Sequence, residues 1–350
     1  MKTLIHIIPT LGSGGAENVL TRLVELKKQK NLKQYILTTQ GTPNDFNHEK
    51  VNKFCTVLHW ADNKSRVKEI FKENPNTKII GWMYKGILWA HGLSFVYGYR
   101  SQKIVWNIRH SDFGPKEYYQ KILLYVFGLG TRLLNPKIIY CSHRSKEVHE
   151  KAFFSSANQS VIVNRLAKVP DLNFDDHLPN NKPYILFVGR FNPQKGPERL
   201  RMISEKILNQ YKDHELLIAG VGWSLDYFPS SISSRVKLLG SQKEIFPLYN
   251  RAKALLFTST YGEGYPNVLV EAMAVGTPIV ALDAGDAKRI LAEYPFGEVF
   301  YSLDLFMEKL KTYIKVPVAY DERHSEGRKQ QKKLDFSLTV KEYEEFIWND

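Results

Sequence analysis

The chain has 350 residues, of which 43% are apolar, and its formal net charge at pH 7 is +13. This length leaves room for two globular domains of about 150 to 200 residues each. Charged residues or glycines interrupt every long apolar stretch, so the sequence predicts no membrane span, and the apolar run within residues 1–9 is too short for a signal peptide. The two cysteines, Cys55 and Cys141, lack metal-type spacing and fit a reducing cytoplasm.

The positive charge lies in the first half of the chain. Residues 1–170 contain 26 Lys and Arg and 11 Asp and Glu, a net charge of +15, whereas residues 171–350 have a net charge of −2. A basic region that also carries tryptophan and tyrosine suits the headgroup zone of an acidic bilayer. A solvated basic face with the aromatic rings in the core is an equal alternative. The aromatic residues concerned are Trp82, Tyr84, Trp89, Tyr97, Tyr99, Trp106, Tyr118 and Tyr119.

Short β-type runs alternate with helical patterns along the whole chain, which predicts parallel α/β sheets. The predicted strands of the first half are residues 4–9, 34–38, 78–82, 104–108, 138–141 and 161–163. Those of the second half are residues 184–188, 215–219, 236–239, 254–257 and 278–281, with helices at 198–211 and 267–274. We therefore expect two Rossmann-like domains in tandem, with ligands bound outside the carboxyl ends of the strands in a cleft between the domains.

The boundary between the domains is predicted from composition. Residues 168–183 are rich in proline, asparagine and aspartate and are typical of a linker. We place the domains at residues 1–168 and 169–335 on this basis. The tail has apolar residues at helical spacing and a candidate N-cap at Ser337, which predicts a final helix.

The most informative segment is residues 263–278, which begins with two carboxylates eight positions apart. Pro266 or Asn267 suits a helix start, because proline has a fixed φ and its missing N–H is not needed in the first turn. Glu263 then lies in the loop before a short helix, and Glu271 lies about one turn inside it. The free N–H groups of a first turn bind anions, and carboxylates accept hydrogen bonds from sugar hydroxyls. This combination suits a sugar nucleotide; solvated surface glutamates are the alternative.

Two cations form a second candidate site. Arg190 and Lys195 follow the predicted strand 184–188 and flank a turn. An arginine fork and a lysine ammonium at the carboxyl end of a strand can bracket a diphosphate. A pair of solvated loop cations is the alternative.

The first half offers weaker candidates. Gly14 and Gly15 follow the first strand and precede a helix, which permits close backbone approach and offers a helix N-terminus to a phosphate; a plain βα turn is the alternative. His110 follows Arg109 at the end of the strand 104–108, where a hydrogen-bonded structural histidine is the alternative.

Residues 263–278 and the cation pair resemble the donor-binding motifs of retaining glycosyltransferases of family GT4, which have the GT-B fold. The resemblance implies that Glu263 contacts the transferred sugar and Glu271 holds the ribose. It implies that Arg190 and Lys195 hold the leaving diphosphate. In this fold the final helix often returns to the first domain, and we expect the same of the helix at 336–350.

The same resemblance assigns roles in the first domain. It implies that His110 meets the transferred sugar, with Arg109 nearby for phosphate or acceptor, and that Gly14 and Gly15 reach the donor phosphate or the acceptor. The backbone after Gly240 is expected to meet the nucleotide base. The other expected donor-binding residues are Gly189, Gly264, Tyr265, Pro266, Asn267 and Val268.

The sequence also departs from the family pattern. Trp223 stands where the family has proline, Arg165 replaces a usual glycine, and the loop at 282–288 differs, so its contacts are open. The chain contains no Asp-x-Asp, the carboxylate clamp of metal-dependent glycosyltransferases. We therefore expect no metal cofactor, with cationic side chains and helix amides stabilising the leaving diphosphate.

The resemblance implies an enzyme that transfers a hexosyl or N-acetylhexosaminyl group from a nucleotide diphosphate sugar, with a UDP-sugar favoured, and retains configuration. The basic first domain suits a lipid-linked or growing glycan acceptor at the inner face of the cell membrane, as in capsule or O-antigen synthesis. One alternative is a transferase with a soluble acceptor. A nucleic-acid binder is favoured by charge alone, and the glutamate pair opposes it because carboxylates repel phosphate backbones.

Overall fold

The computed structural model describes residues 2–12, 14–26, 31–74, 77–98, 104–114, 117–166, 169 and 182–349. The chain divides into two compact units, of which the first is Met1–Asn164 with Phe336–Asp350 and the second is Arg165–Asp335. The predicted linker at 168–183 lies outside the described residues, except for residues 169, 182 and 183.

The first unit is built on a parallel sheet. Its strands are β1 (Lys2–Ile8), β2 (Leu32–Thr38), β3 (Thr56–His59), β4 (Lys78–Trp82), β5 (Ile104–Ile108), β6 (Lys137–Tyr140) and β7 (Gln159–Val161). They pair in the order β3-β2-β1-β4-β5-β6-β7. The helices between them are α1 (Gly15–Glu25), α2 (His48–Asn52), α3 (Trp60–Glu73), α4 (Met83–Val96), α5 (Tyr118–Leu134) and α6 (His143–Lys151).

Both faces of this sheet are covered. Successive residues of a strand point to opposite faces. In β1, Ile5 and Ile7 pack in the core beneath α3, α4 and α5, whereas Leu4 and Ile8 pack in the core beneath α1. Burial on both faces explains why the inner strands are continuous apolar runs in the sequence.

The second unit repeats this arrangement. Its strands are β8 (Tyr184–Val188), β9 (Glu215–Ala219), β10 (Val236–Gly240), β11 (Leu255–Phe257), β12 (Ile279–Leu282) and β13 (Gly297–Phe300), paired in parallel in the order β10-β9-β8-β11-β12-β13. Its helices are α7 (Pro197–Gln210), α8 (Ser230–Ser233), α9 (Phe246–Arg251), α10 (Asn267–Met273), α11 (Ala287–Leu291), α12 (Leu303–Lys315) and α13 (Tyr320–Lys333). The expected pair of parallel α/β sheets is confirmed.

The last helix, α14 (Phe336–Trp348), packs in the core of the first unit next to α1. Its Tyr343 hydroxyl accepts a hydrogen bond from Asn107 Nδ2 at 3.0 Å, and its ring stacks on Trp82. The predicted N-cap at Ser337 is wrong, because the helix already includes Phe336, whose buried side chain fixes the helix start in the core.

The aromatic residues of the first unit divide between core and surface. Trp82, Tyr84 and Trp106 are buried, and Trp89 and Tyr97 pack against the core that contains Tyr84 and Trp106. The core interpretation is therefore right for these five. Tyr118 and Tyr119 are exposed at the start of α5, and Tyr99 lies outside the described residues. In the part of the chain that the structure describes, no helix is long and apolar enough to cross a membrane.

Candidate active site

The chemistry-bearing loops of the second unit share one edge of its sheet. The segments that contain Gly189, Gly220 and Glu263 follow β8, β9 and β11, respectively, and Gly240 is the last residue of β10. Since all these strands run parallel, their carboxyl ends meet at the same edge, which is where open α/β sheets bind ligands.

A lysine–glutamate pair lies at the centre of this edge. Lys195 Nζ and Glu263 Oε1 are 2.5 Å apart, and Ser259 Oγ donates a hydrogen bond to the same oxygen at 2.8 Å. Only 9% of the Glu263 side chain is exposed, against 20% for Lys195. The carboxylate is thus held by two donors, while the Lys195 side chain keeps part of its surface in solvent.

The backbone around Lys195 is fixed by its neighbours. Gly196 has a φ of +64°, and a Cβ atom at this position would lie 2.1 Å from the carbonyl oxygen of Thr258. The Thr258 hydroxyl donates to the carbonyl oxygen of Lys195 at 2.8 Å, and Thr260 N donates to Gln194 O at 2.9 Å. The turn therefore tolerates only glycine at 196, and it aims Lys195 at the loop after β11.

Arg190 differs from Lys195 because its side chain is exposed. Within the described residues it has neither a hydrogen bond nor an ion pair. The backbone beside it is fixed, since Trp223 Nε1 donates to the carbonyl oxygen of Gly189 at 2.8 Å. The tryptophan that departs from the family pattern thus supports the turn that carries Arg190.

Glu271 lies in α10, which begins at Asn267 after Pro266, as predicted. The Tyr249 hydroxyl donates to Glu271 Oε2 at 3.0 Å from a fully buried position in α9. Burial, with the charge of Glu271, holds the pKa of Tyr249 well above its ordinary value, so the hydroxyl stays a donor at neutral pH. Sequence reasoning missed Tyr249, because a partner 22 positions away leaves no local pattern.

The loop between the two glutamates is supported from the β12 side. Gly285 has a φ of +59°, and a Cβ atom there would lie 2.4 Å from the carbonyl oxygen of Glu263. Asp286 N donates to Gly264 O at 3.0 Å. The loop at 282–288, which differs from the family pattern, therefore packs against the backbone at Glu263 and holds it in place.

The other predicted donor residues lie close by in the chain. Burial raises the pKa of Tyr265 to about 12, so its phenol is neutral at physiological pH. Val268 lies in the first turn of α10, a helix of only seven residues. Gly240 has a φ of +64° and open space where a Cβ would project, which leaves its backbone accessible.

In the first unit, Gly14 is the N-cap of α1 and Gly15 its first residue. A Cβ atom on Gly15 would meet nothing within 4 Å. Two residues that sequence reasoning missed hold the preceding loop: Asp45 Oδ2 accepts from Leu11 N at 2.6 Å, and Asn47 Nδ2 donates to Gly12 O at 2.5 Å. The sequence could have indicated these two residues. They lie in the turn-rich segment after β2, and the ends of two paired parallel strands lie side by side.

His110 and Arg109 follow β5 at the same edge as the glycine loop. Burial and the neighbouring Arg109 lower the pKa of His110, and its ring makes edge contacts with Tyr84 and Phe113. The guanidinium of Arg109 donates to Asn164 Oδ1 at 2.5 Å and to the Tyr343 hydroxyl at 3.3 Å. Arg109 therefore holds α14 in the first unit, and its role towards an acceptor stays a prediction.

The structure joins Lys195 directly to Glu263 and gives Glu271 a separate partner in Tyr249. Among the described side chains, no group of three or more histidines, cysteines, aspartates or glutamates could hold a metal ion.

The glycosyl transferases group 1 family model matches residues 182–307, which contain both glutamates and both cations. An uncharacterised glycosyltransferase of Methanocaldococcus jannaschii is 22% identical over 326 residues, covering 80% of this chain and 74% of that protein. The matched region, residues 182–307, belongs to the glycosyl transferases of group 1. The match and the relative indicate that this chain is a glycosyltransferase.

Two further comparisons refine this picture. The phosphatidyl-myo-inositol mannosyltransferase of Mycolicibacterium smegmatis is 30% identical over 143 residues, which is 38% of this chain and 36% of that protein. The crystal structure of Anabaena HepE in complex with UDP superposes with a TM-score of 0.73, at 18% identity and with 99% of both chains covered. The likeness confirms the GT-B fold for this glycosyltransferase.

Proposed function

We propose that this glycosyltransferase moves a sugar from a UDP-sugar to a lipid-linked or growing glycan acceptor, with retention of configuration. The observation that carries the proposal is the buried carboxylate of Glu263, held by Lys195 and Ser259 at the carboxyl edge of the second sheet. A fixed carboxylate beside an accessible ammonium suits a ligand with both hydroxyls and phosphates.

The two cations would stabilise the leaving diphosphate. Lys195 keeps part of its surface in solvent, and Arg190 is exposed two residues after β8. Preorganised charges aimed at a developing anion lower the barrier of its departure. With these side chains in that role, the transfer needs no metal ion, and a departing phosphate oxygen takes the acceptor proton. No protein nucleophile is assigned.

The two glutamates would orient the donor by its hydroxyl groups. A carboxylate has about four lone-pair sites, so one that already accepts from protein donors can accept a further hydrogen bond from a sugar. Glu263 is held in this way for the transferred sugar. Glu271 is held through Oε2 by Tyr249 and suits the ribose.

His110 would meet the transferred sugar as a neutral ring. Its lowered pKa keeps the imidazole uncharged at neutral pH, so it exchanges hydrogen bonds with hydroxyls without competing for the diphosphate. Gly15 leaves backbone space at the same edge of the first unit, next to Gly14 at the N-cap of α1.

The nature of the donor and acceptor is supported by the relatives. HepE has been crystallised with UDP, which supports a uridine nucleotide here. The mycobacterial relative is named for a lipid acceptor, and the net charge of +15 in residues 1–170 suits an anionic membrane surface. We therefore propose a peripheral enzyme of cell-surface polysaccharide synthesis with no nucleic-acid partner. A soluble acceptor is the second candidate.

The test is a calorimetric titration with UDP, GDP and ADP, each with and without EDTA. We expect selective binding of UDP that EDTA does not change and that Glu271→Gln weakens. Glu308→Gln is the matched control, since Glu308 lies exposed on α12. Selective binding of GDP or ADP, or EDTA-sensitive binding, would overturn the donor or the metal-free mechanism.

A further inference from the structure

Helix α5 is apolar on two opposite sides. Its inner side, with Leu124 and Phe127, packs in the core of the first unit. Its outer side exposes seven large apolar or aromatic side chains: Tyr118, Tyr119, Ile122, Tyr125, Val126, Leu129 and Leu133. A helix that is apolar all round is ordinarily buried on all sides. The outer side of α5, defined by these seven residues, therefore lacks the covering that its composition requires.

The outer side forms one continuous stripe. Residues 118, 122, 125, 129 and 133 recur at the spacing of neighbours on a helix surface. Over the 17 residues of α5 the stripe is about 25 Å long. Leu133, at its end, is 88% exposed.

Helix α3 of the same unit exposes charged residues to water. The exposed positions of α3 carry Lys64, Lys68, Glu69 and Lys72. The charged residues of α5 are Lys121 and Arg132. Arg132 is exposed, whereas Lys121 is half-buried and lies near the Tyr118 ring. The outer side of α5 thus differs in composition from the exposed side of α3.

The helix cannot rotate to hide this side. Gly128 packs so closely on the end of α6 that a Cβ atom would lie 1.8 Å from the carbonyl oxygen of Ala152. The next residue after Ala152, Phe153, is half exposed and extends the stripe by a ring contact with Tyr125. The close approach at Gly128 therefore fixes which residues face outward.

The sequence that contains α4 and α5 is basic. Residues 83–134 contain seven Lys and Arg but two acidic residues, Asp112 and Glu117. Both acids are engaged, since Asp112 pairs with Arg144 and Glu117 accepts from Gly114 N. On the same side of the sheet, α4 exposes Leu88, Phe95 and Val96.

We propose that the outer side of α5 is the surface by which this enzyme lies on an anionic lipid bilayer, with the helix in the interfacial plane. An amphipathic element with an apolar stripe and flanking cations binds the headgroup boundary of acidic membranes. A second copy of the chain fits less well, because the basic segments that contain the two stripes would repel each other. The inference deepens the proposed membrane-surface acceptor by naming the contact surface.

The test is co-sedimentation of the full chain with phosphatidylcholine vesicles, with and without phosphatidylglycerol. We expect Ile122→Gln with Leu129→Gln to lower the vesicle partition coefficient at least about tenfold, because two half-exposed side chains lose their transfer to the bilayer. The matched control is Met202→Gln with Leu305→Gln, two comparably exposed residues of the second unit, which should bind like the wild type.

A second pair of variants separates charge from apolar burial. Lys121→Gln with Arg132→Gln should weaken binding to anionic vesicles by about fivefold per residue and leave binding to neutral vesicles unchanged. Raised salt should reduce the difference.

The result that overturns the proposal is equal sedimentation of the Ile122/Leu129 variant and the wild type, or no sedimentation of the wild type. Sedimentation velocity provides the remaining outcome: a dimer abolished by the same variant would show that the surface joins two copies. UDP titration keeps the two proposals apart: absence of UDP binding by the wild type would refute the donor assignment and leave the vesicle result intact, and unchanged UDP binding by the α5 variants would show that they are folded.

Discussion

Replacing Tyr249 with phenylalanine isolates the contact that orients Glu271. The change deletes only the hydroxyl that donates to Glu271 Oε2 at 3.0 Å, within a fully buried ring. Because the ring remains, the core beneath α10 keeps its packing. Without this donor, the Glu271 side chain can adopt other rotamers, and these compete with the rotamer proposed to bind the ribose.

The expected magnitude follows from the hydrogen bond. A bond to a charged group contributes about 1.5 to 3 kcal/mol, and the lower end applies because Glu271 is partly exposed and can recruit water. We therefore expect Tyr249→Phe to lower the free energy of unfolding by about 1.5 kcal/mol. If about 1 kcal/mol of binding free energy is lost because Glu271 is less well oriented, UDP binding would weaken roughly fivefold.

The control is Tyr184→Phe. The hydroxyl of Tyr184 is also buried and donates to the carbonyl oxygen of Leu248 at 2.9 Å, one residue before Tyr249. This variant should be destabilised by about 1 kcal/mol, measured by urea unfolding, with unchanged UDP affinity by calorimetry. Equal UDP affinity in Tyr249→Phe and wild type would refute the reasoning, as would an equal loss in both variants.

Three further perturbations test the rest of the structure. Gly196→Ala should lower the melting temperature by several degrees, because the new Cβ would lie 2.1 Å from Thr258 O at a φ of +64°; an unchanged melting curve would refute this constraint. Lys195→Met should lower the free energy of unfolding in urea by about 2 kcal/mol, because a buried carboxylate loses its charge partner. Neutralising that carboxylate as glutamine should restore part of the loss, whereas additive losses would disprove the coupling. Burial lowers the pKa of His6 and of His149 to about 3, so the unfolded chain takes up their protons first as pH falls below about 6.5. Each histidine should therefore lower the free energy of unfolding by up to about 2 kcal/mol as the pH falls from 7 to 5. A urea midpoint that does not change over that range would contradict this prediction.

Buried inner strands were predictable from the sequence. The predicted strands 78–82, 104–108, 184–188 and 215–219 coincide with β4, β5, β8 and β9, because a strand covered on both faces must be a continuous apolar run. The edge strands β3 and β13 were missed. Each has only four residues and partly exposed positions, so its apolar pattern is too short to stand out.

Long-range partners of the candidate site were not predictable. The sequence indicated the chemistry of Glu263 and Lys195 from their local motifs, but their contact spans 68 positions and depends on the turn at Gly196. Tyr249 gives no motif of its own. The exposed side of α5 was not predictable for another reason. Apolar residues are expected to be buried, whereas about half of the residues of this helix are exposed.

The charge balance of the donor edge follows from these contacts. The ammonium of Lys195 and the carboxylate of Glu263 neutralise each other before any ligand binds. Arg190, exposed and without an ion pair among the described residues, is the cation of this edge that a diphosphate could pair with directly. In the proposed complex, a diphosphate would engage Lys195 while Ser259 still donates to Glu263. The carboxylate would then stay in place and accept hydrogen bonds from sugar hydroxyls. A lysine shared between carboxylate and diphosphate would thus couple the departure of the phosphate to the orientation of the sugar.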